Sequence, residues 1–283
     1  MLIDYYCVML LAAGPARVVG AASEFRLRFG EGPKIPESEW TGRRLLWLDD
    51  KPAFELSFWC GTCPFLFRRL EGAASTCSIA DVGGRLADGL QDIDDDVVDQ
   101  FGSLLPRGEY LPLLLRIEPR LVRPAQPGDY FVEEQVATWG LNSFWGLPEY
   151  PHNPYYRTYE TVIDADAHLF EFVVPMVPPS WNDRQRVASY VSELADVATS
   201  TAVAVSILDV CEPAVDHGAV YFAHWALTHF LLDGHHKMQA AADSGRPLQL
   251  LSLLSIDAGL SSSDQVARIP SLRMAAPTRR HLG

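Results

Sequence analysis

The sequence predicts an α/β (α+β) protein: a sheet-rich N-terminal domain over residues 1–150, a strand–helix domain over 160–260 and a flexible tail over 261–283. Three observations carry this expectation. The 283 residues exceed the ~100–200 of a typical domain, the first half alternates apolar and polar positions, and the second alternates apolar runs with segments of helical period. At 48% hydrophobic and 21% charged residues, the chain can offset its ordering entropy by burial, which excludes disorder and collagen.

The elements follow in order. Phe25, Leu27 and Phe29 alternate with Arg26 and Arg28, and Leu45 to Leu48 adds a second strand pattern, together reading as the edge of a sheet. Phe54 to Trp59 continues the strand signal into Cys60-Gly61-Thr62-Cys63-Pro64, and Phe65 to Leu70 is expected as a short helix stopped by Gly72. Asp92, Asp94, Asp95, Asp96 and Asp99 interleave Ile93, Val97, Val98 and Phe101, the pattern of a helix with one solvated face ending near Gly102. Pro112 and Pro119 break Glu109 to Val122 into strands and turns. Between Trp139 and Tyr159 the aromatic, proline-punctuated segment containing Phe144, Trp145 and Tyr150 reads as an inter-domain loop.

Beyond it the α/β pattern is cleaner. Leu169 to Val174 is a strand. Asn182 or Asp183 caps a helix with apolar positions Val187, Tyr190, Val191, Leu194 and Val197. Ala202 to Leu208 and His224 to Leu232 are strands, Asp233-Gly234 turns the chain, His235 to Asp243 is a helix closed by Gly245, and Leu248 to Ile256 is the last strand.

Charge and cysteine content narrow the function. With 23 Lys and Arg against 36 Asp and Glu, the net charge of −13 repels a phosphate backbone, so nucleic acid is not an expected partner, although a local basic pocket remains open. Five cysteines are too sparse for a disulfide scaffold and fit a reducing cytoplasm. The apolar run Tyr5 to Ala13 falls short of the ~20 residues of a membrane span and follows Asp4, so neither membrane insertion nor a signal peptide is expected.

The segment from Phe230 to Ala242 carries the chemistry: an apolar strand, Asp233-Gly234, then His235-His236-Lys237 opening a helix. The unpaired amides of a helix start hold anions such as phosphate, and a glycine allows close approach. Lys237 adds charge, while His235 and His236 donate to phosphate oxygens or shuttle a proton. An ordinary turn and cap is the alternative reading of the same residues.

This strand, Asp-Gly-His-His-Lys turn, helix and strand, preceded by the helix from Asp183 and the strand from Ala202, resembles the ParB/sulfiredoxin-like superfamily over about Phe172 to Ile256. The resemblance implies a ParB-like domain whose Gly-turn-helix binds nucleotide phosphates. His235 stands where sulfiredoxin chemistry needs a cysteine, and too little chain follows Ile256 for the DNA reader of partition proteins. The form is most similar to the free-serine-kinase-like branch. That implies a nucleotide tri- or diphosphate with Mg²⁺ as cofactor and a small hydroxylated metabolite as partner. It also implies phosphate-binding roles for Asp233, Gly234, His235, His236 and Lys237, catalytic roles for Asp183 and His236, and compatibility with a homodimer. The family more usually has Glu where Asp183 stands, and a plain helix cap is the alternative for this residue. Arg184 and Arg186, at i and i+2, cannot share a face, so at most one grips an acidic substrate group.

The expectation is therefore an ATP-, ADP- or CTP-dependent kinase or nucleotide hydrolase, with a non-catalytic nucleotide-binding regulator as an alternative. A different class rests on Cys60 and Cys63. The Trp59 to Pro64 run looks like a thioredoxin active-site motif, with Pro112 as a candidate partner proline, or like a zinc knuckle using Cys60, Cys63, Cys77 and a histidine, or like an incidental turn. His224 and His229, five apart on a strand, face opposite sides and read as core or surface histidines.

Overall fold

The computed structural model describes residues 9–32, 43–140, 151–195, 200–214 and 221–274. Four sequence expectations fall partly outside these described residues: the start of the Tyr5 to Ala13 run, Phe144, Trp145 and Tyr150 of the aromatic loop, the helix position Val197, and residues 275–283 of the tail.

The strands are β1 (Met9–Ala13), β2 (Arg17–Val19), β3 (Leu27–Glu31), β4 (Arg44–Leu48), β5 (Lys51–Leu56), β6 (Phe67–Arg69), β7 (Gly108–Ile117), β8 (Arg120–Val122), β9 (Tyr155–Asp164), β10 (Ala167–Pro175), β11 (Thr201–Cys211), β12 (Ala223–Asp233) and β13 (Leu248–Ser255). The helices are α1 (Gly83–Asp88), α2 (Asp95–Gly102), α3 (Glu134–Trp139), α4 (Arg184–Ala195), α5 (His235–Ser244) and α6 (Ser263–Met274). A large mixed sheet runs β1-β7-β13-β11-β12-β10-β9-β8, with β2 also on β7, and a separate antiparallel sheet runs β3-β4-β5-β6. Pairing is parallel for β10 with β12 and for β11 with β13, and antiparallel elsewhere.

The result is three layers. One face of the large sheet presents Leu227, Leu231 and Leu250 to Met238 of α5 and Val266 and Ile269 of α6. The other presents Val205, Phe230 and Leu253 to the small sheet through Leu46 and Phe54, and to α1 and α2 through Leu86 and Phe101. Strands covered on both faces read as continuous apolar runs, which is why β10 to β13 were legible in sequence. The two sheets are tied by a buried ion pair, Arg44 to Asp209 at 2.9 Å.

Pro112 sits inside β7 without costing a ladder bond. Its carbonyl accepts from the Gly14 amide, so the side on which its N–H is missing faces the gap where the chain passes from β1 to β2. The Asp-rich run forms α2 as expected, with the Asp94 carboxylate accepting from the amides of Asp96 and Val97.

Three expectations need correction. The large sheet takes β1, β2, β7 and β8 from one side of residue 150 and β9 to β13 from the other, so its hydrogen bonds cross the proposed domain boundary. Phe67–Arg69, expected as helix, is a strand, because alternation sends Phe67 into the core while Arg68 reaches Glu55 on the neighbouring strand. Ser263–Met274, expected as loose tail, is a helix that ends in a fully buried Arg273.

Arg273 explains why α6 is held. Its Nε lies 2.9 Å from Glu171 Oε2, both side chains are sealed from water, and its guanidinium stacks 4.3 Å from the Tyr159 ring. The ion-pair distance is short, but the groups are off the hydrogen-bond line. Glu171 also accepts from Thr158, and its Oε2 lies 3.8 Å from His229 Nε2, while His229 Nδ1 meets Ser206, which meets Ser252. Burial alone would raise the Glu171 carboxyl, but Arg273, with His229 and Thr158, holds it down to about 2.

Candidate functional site: the cleft at the start of α5

β12 ends at Asp233 and the chain turns at Gly234, whose φ of 92° lies in the left-handed region. A side chain there would also bring a Cβ within 2.7 Å of Ala202 Cβ, so glycine is required both by conformation and by close approach to β11. Among the described residues no side-chain cap closes α5, so its first-turn amides keep their positive partial charge. They border a cavity of about 380 Å³ that Thr76, Ser78, Arg186, Tyr190, Asp233 and His236 help to line. The Asp233 carboxylate accepts from the Ser78 hydroxyl within this lining.

The expected site residues separate into two groups. His236 and Arg186 face the cleft. His236 Nε2 accepts the Asp183 amide at 3.1 Å, which in the neutral ring leaves the proton on Nδ1, and desolvation followed by the nearby Arg186 lowers its pKa. His235 and Lys237 border the cavity, yet their polar atoms are committed to the scaffold. The buried His235 accepts the Met176 amide at 3.1 Å through Nε2, and burial, with His236 and Arg69, pushes its pKa down to about 3, so the ring is neutral. Lys237 Nζ donates to the carbonyls of Leu86 at 2.8 Å and Thr201 at 3.0 Å, pinning α1 to the start of β11, and desolvation lowers its pKa. A lysine read as a phosphate ligand therefore serves as a crosslink.

Asp183 and His236 come together, but through the Asp183 backbone. The Asp183 carboxylate accepts the Arg186 amide at 2.9 Å, capping α4, and hydrogen bonds from the amides of Arg186 and Gln185 help lower its pKa. A carboxylate so engaged is a weakened base, and Asp233 is the carboxylate that lines the cleft. Arg184 and Arg186 open onto different cavities, Arg184 onto one of about 740 Å³ bordered by Asn182 and Gln239.

The CxxC turn lies at the opposite end of β12. The Gly61 carbonyl accepts the Glu212 amide at 2.7 Å, beside the Cys211–His224 pair, whereas the Cys77 amide bonds to Leu232. Eight residues of strand separate those levels, roughly 26 Å at ~3.3 Å per residue. Cys60, Cys63 and Cys77 therefore cannot share one metal, and no group of three metal-binding side chains occurs among the described residues. No helix follows the motif, since the chain enters β6, and Pro112 is two strands from β11 at the level of Val205. The thiol that does lie near the pair is the buried Cys211.

Sequence reasoning missed Ser78, Thr76 and Cys211, which reach their sites only through tertiary contacts. It also missed Glu171, although a lone carboxylate inside Leu169-Phe170-Glu171-Phe172-Val173 was a usable signal. Among the described residues no helix is long and apolar enough to cross a membrane. Comparison with family models, with curated proteins and with solved structures gave no match.

Proposed function

We propose that the cleft at the start of α5 binds the phosphates of a nucleotide, and that the protein is a nucleotide-dependent phosphotransferase acting on a small hydroxylated metabolite, or a nucleotide hydrolase. The reading rests on one observation: an uncapped helix N-terminus beside a glycine turn borders a cavity shared with the Arg186 side chain. The cavity volume of about 380 Å³ is in the range of small-molecule sites. Its cationic and hydrogen-bonding groups also stand against the chain's overall negative charge, which elsewhere repels anions.

In this reading the α5 amides and Arg186 hold the donor phosphates and neutralise charge as it develops, which is most of what phosphoryl transfer asks of a protein. His236, neutral with its proton on Nδ1, donates to a phosphate oxygen. The Asp233 carboxylate and Ser78 hydroxyl are hard oxygen donors of the type Mg²⁺ accepts, and the metal would supply charge neutralisation between phosphate oxygens. Asp183 keeps α4, and with it Arg186, in register.

Titration calorimetry with MgATP, MgADP and MgCTP tests the proposal. Wild type is expected to bind at least one of them, and His236→Ala to bind it several-fold more weakly with unchanged thermal stability of the free protein. Equal affinities for the two proteins, or no binding of any of the three by wild type, would remove it.

A further inference from the structure

The second site is at the far end of β12, nine residues and roughly 30 Å of strand from Asp233. There the Cys60 to Cys63 turn is closed by a hydrogen bond from the Cys63 amide to the Cys60 carbonyl at 3.2 Å, and the Cys60 sulfur meets the Thr62 hydroxyl at 2.9 Å. Both are free and partly exposed. The turn is fastened on two sides, by the Glu212 amide on the Gly61 carbonyl and by Trp139 Nε1 on the Thr62 carbonyl at 3.1 Å. Trp59 stands beside it, 41% exposed, with the Arg44 guanidinium 5.0 Å from its ring.

From this geometry we infer that Cys60 and Cys63 form a dithiol centre that reduces disulfides by exchange, independently of the α5 cleft. The Cys60 thiolate attacks one sulfur of a substrate disulfide, the substrate S–S bond breaks, and the first leaving thiolate takes a proton from solvent. Cys63 then attacks Cys60 Sγ, the mixed disulfide breaks, and the Cys63 proton passes to the second leaving thiolate. Two electrons move from the protein, now holding a Cys60–Cys63 disulfide, to the substrate, now two thiols.

The two cysteines are chemically unequal in the sense this order requires. Burial alone would raise the Cys60 thiol, but hydrogen bonds from Thr62, whose hydroxyl lies 2.9 Å from the sulfur, and from Cys63 bring it below its usual value. Burial, then the hydrogen bond and charge of Cys60, push Cys63 up to about 12. Cys60 is the attacking thiolate and Cys63 the resolving thiol. In proteins of thioredoxin type a helix N-terminus lowers the first thiol; here side-chain and backbone hydrogen bonds do so. Cys211 lies near the pair but is sealed, with its thiol raised first by burial and then by Asp209, so it takes no part.

Oxidised and reduced glutathione at graded ratios are the probe. The full chain is acid-quenched, alkylated and mapped by mass spectrometry, with circular dichroism recording the fold. The wild type is expected to form a Cys60–Cys63 disulfide in one two-electron transition, and Cys63→Ser to retain glutathione on Cys60 at least ten times faster than Cys60→Ser retains it on Cys63. Two thiols that stay reduced at every ratio in a folded wild type would overturn the inference. So would glutathione on Cys77 or Cys211 as readily as on Cys60. Nucleotide affinity does not enter either outcome.

Discussion

At the start of α5, His236, Arg186 and Asp233 line an open cleft, whereas beneath α6 His229, Arg273 and Glu171, the same three residue types, are shut away from water. The difference lies in what each group is bonded to. Under α6 the Arg273 and Glu171 charges offset one another, and His229 Nδ1 is hydrogen-bonded to Ser206. In the cleft the Asp233 carboxylate accepts from Ser78, and among the described residues no side-chain cap closes the start of α5. The same residue types thus make a scaffold where opposite charges are paired and dry, and a candidate binding site where donors border an open cavity.

The largest effect is expected at the sealed cluster. Arg273→Ala leaves the Glu171 carboxylate buried without its partner and should cost about 3–5 kcal/mol in urea unfolding, while the pair Glu171→Leu with Arg273→Met should recover most of it. An Arg273→Ala loss below ~1 kcal/mol would mean that α6 is not held by this pair. The acid limb sharpens the same point. Glu171 titrates near 2 in the folded chain, below its unfolded value, so its contribution is present above the unfolded pKa and is lost as pH falls toward 2. His235, depressed to about 3, also works in this direction: its contribution is present above ~6.5 and fades below it, because the unfolded ring binds the proton first. Glu171→Gln should be less stable at neutral pH and shallower in its loss of stability between pH 4.5 and 2, as followed by circular dichroism.

A smaller effect is expected at the turn that opens α5. Gly234→Ala adds a Cβ at positive φ against Ala202 and should lower stability by roughly 1–3 kcal/mol, measured by thermal unfolding. The smallest stability effects belong to the cleft. Arg186→Ala should change folding by less than ~0.5 kcal/mol yet weaken MgATP binding about tenfold, the order of one charge-assisted hydrogen bond. Arg184→Ala, on the other cavity, should leave affinity unchanged in the same calorimetric titration.

Much of the C-terminal half was legible because its elements obey local rules. β10 to β13 are mainly apolar runs, Asp183 caps α4, and α5 lies between Gly234 and Gly245. The candidate cleft was legible as a turn, and Gly234, His236 and Arg186 do border it. Lys237 and His235 were misread because their types state what they can bond to, not what lies within reach; Leu86, Thr201 and Met176 are distant in sequence and adjacent in space. The same limit hid Ser78 and Cys211, and made Cys77 look like a neighbour of Cys60.

The sequence by itself determined the alternation of strands and helices, the glycine turn before α5 and the paired cysteines, because these depend on propensity, period and spacing within a few residues. Only the tertiary structure decided that one sheet crosses residue 150, that Lys237 is a crosslink, that α6 is anchored by a buried ion pair, and which groups face the cleft. Those outcomes depend on desolvation and on partners brought from far along the chain, and neither is encoded in any short window of residues.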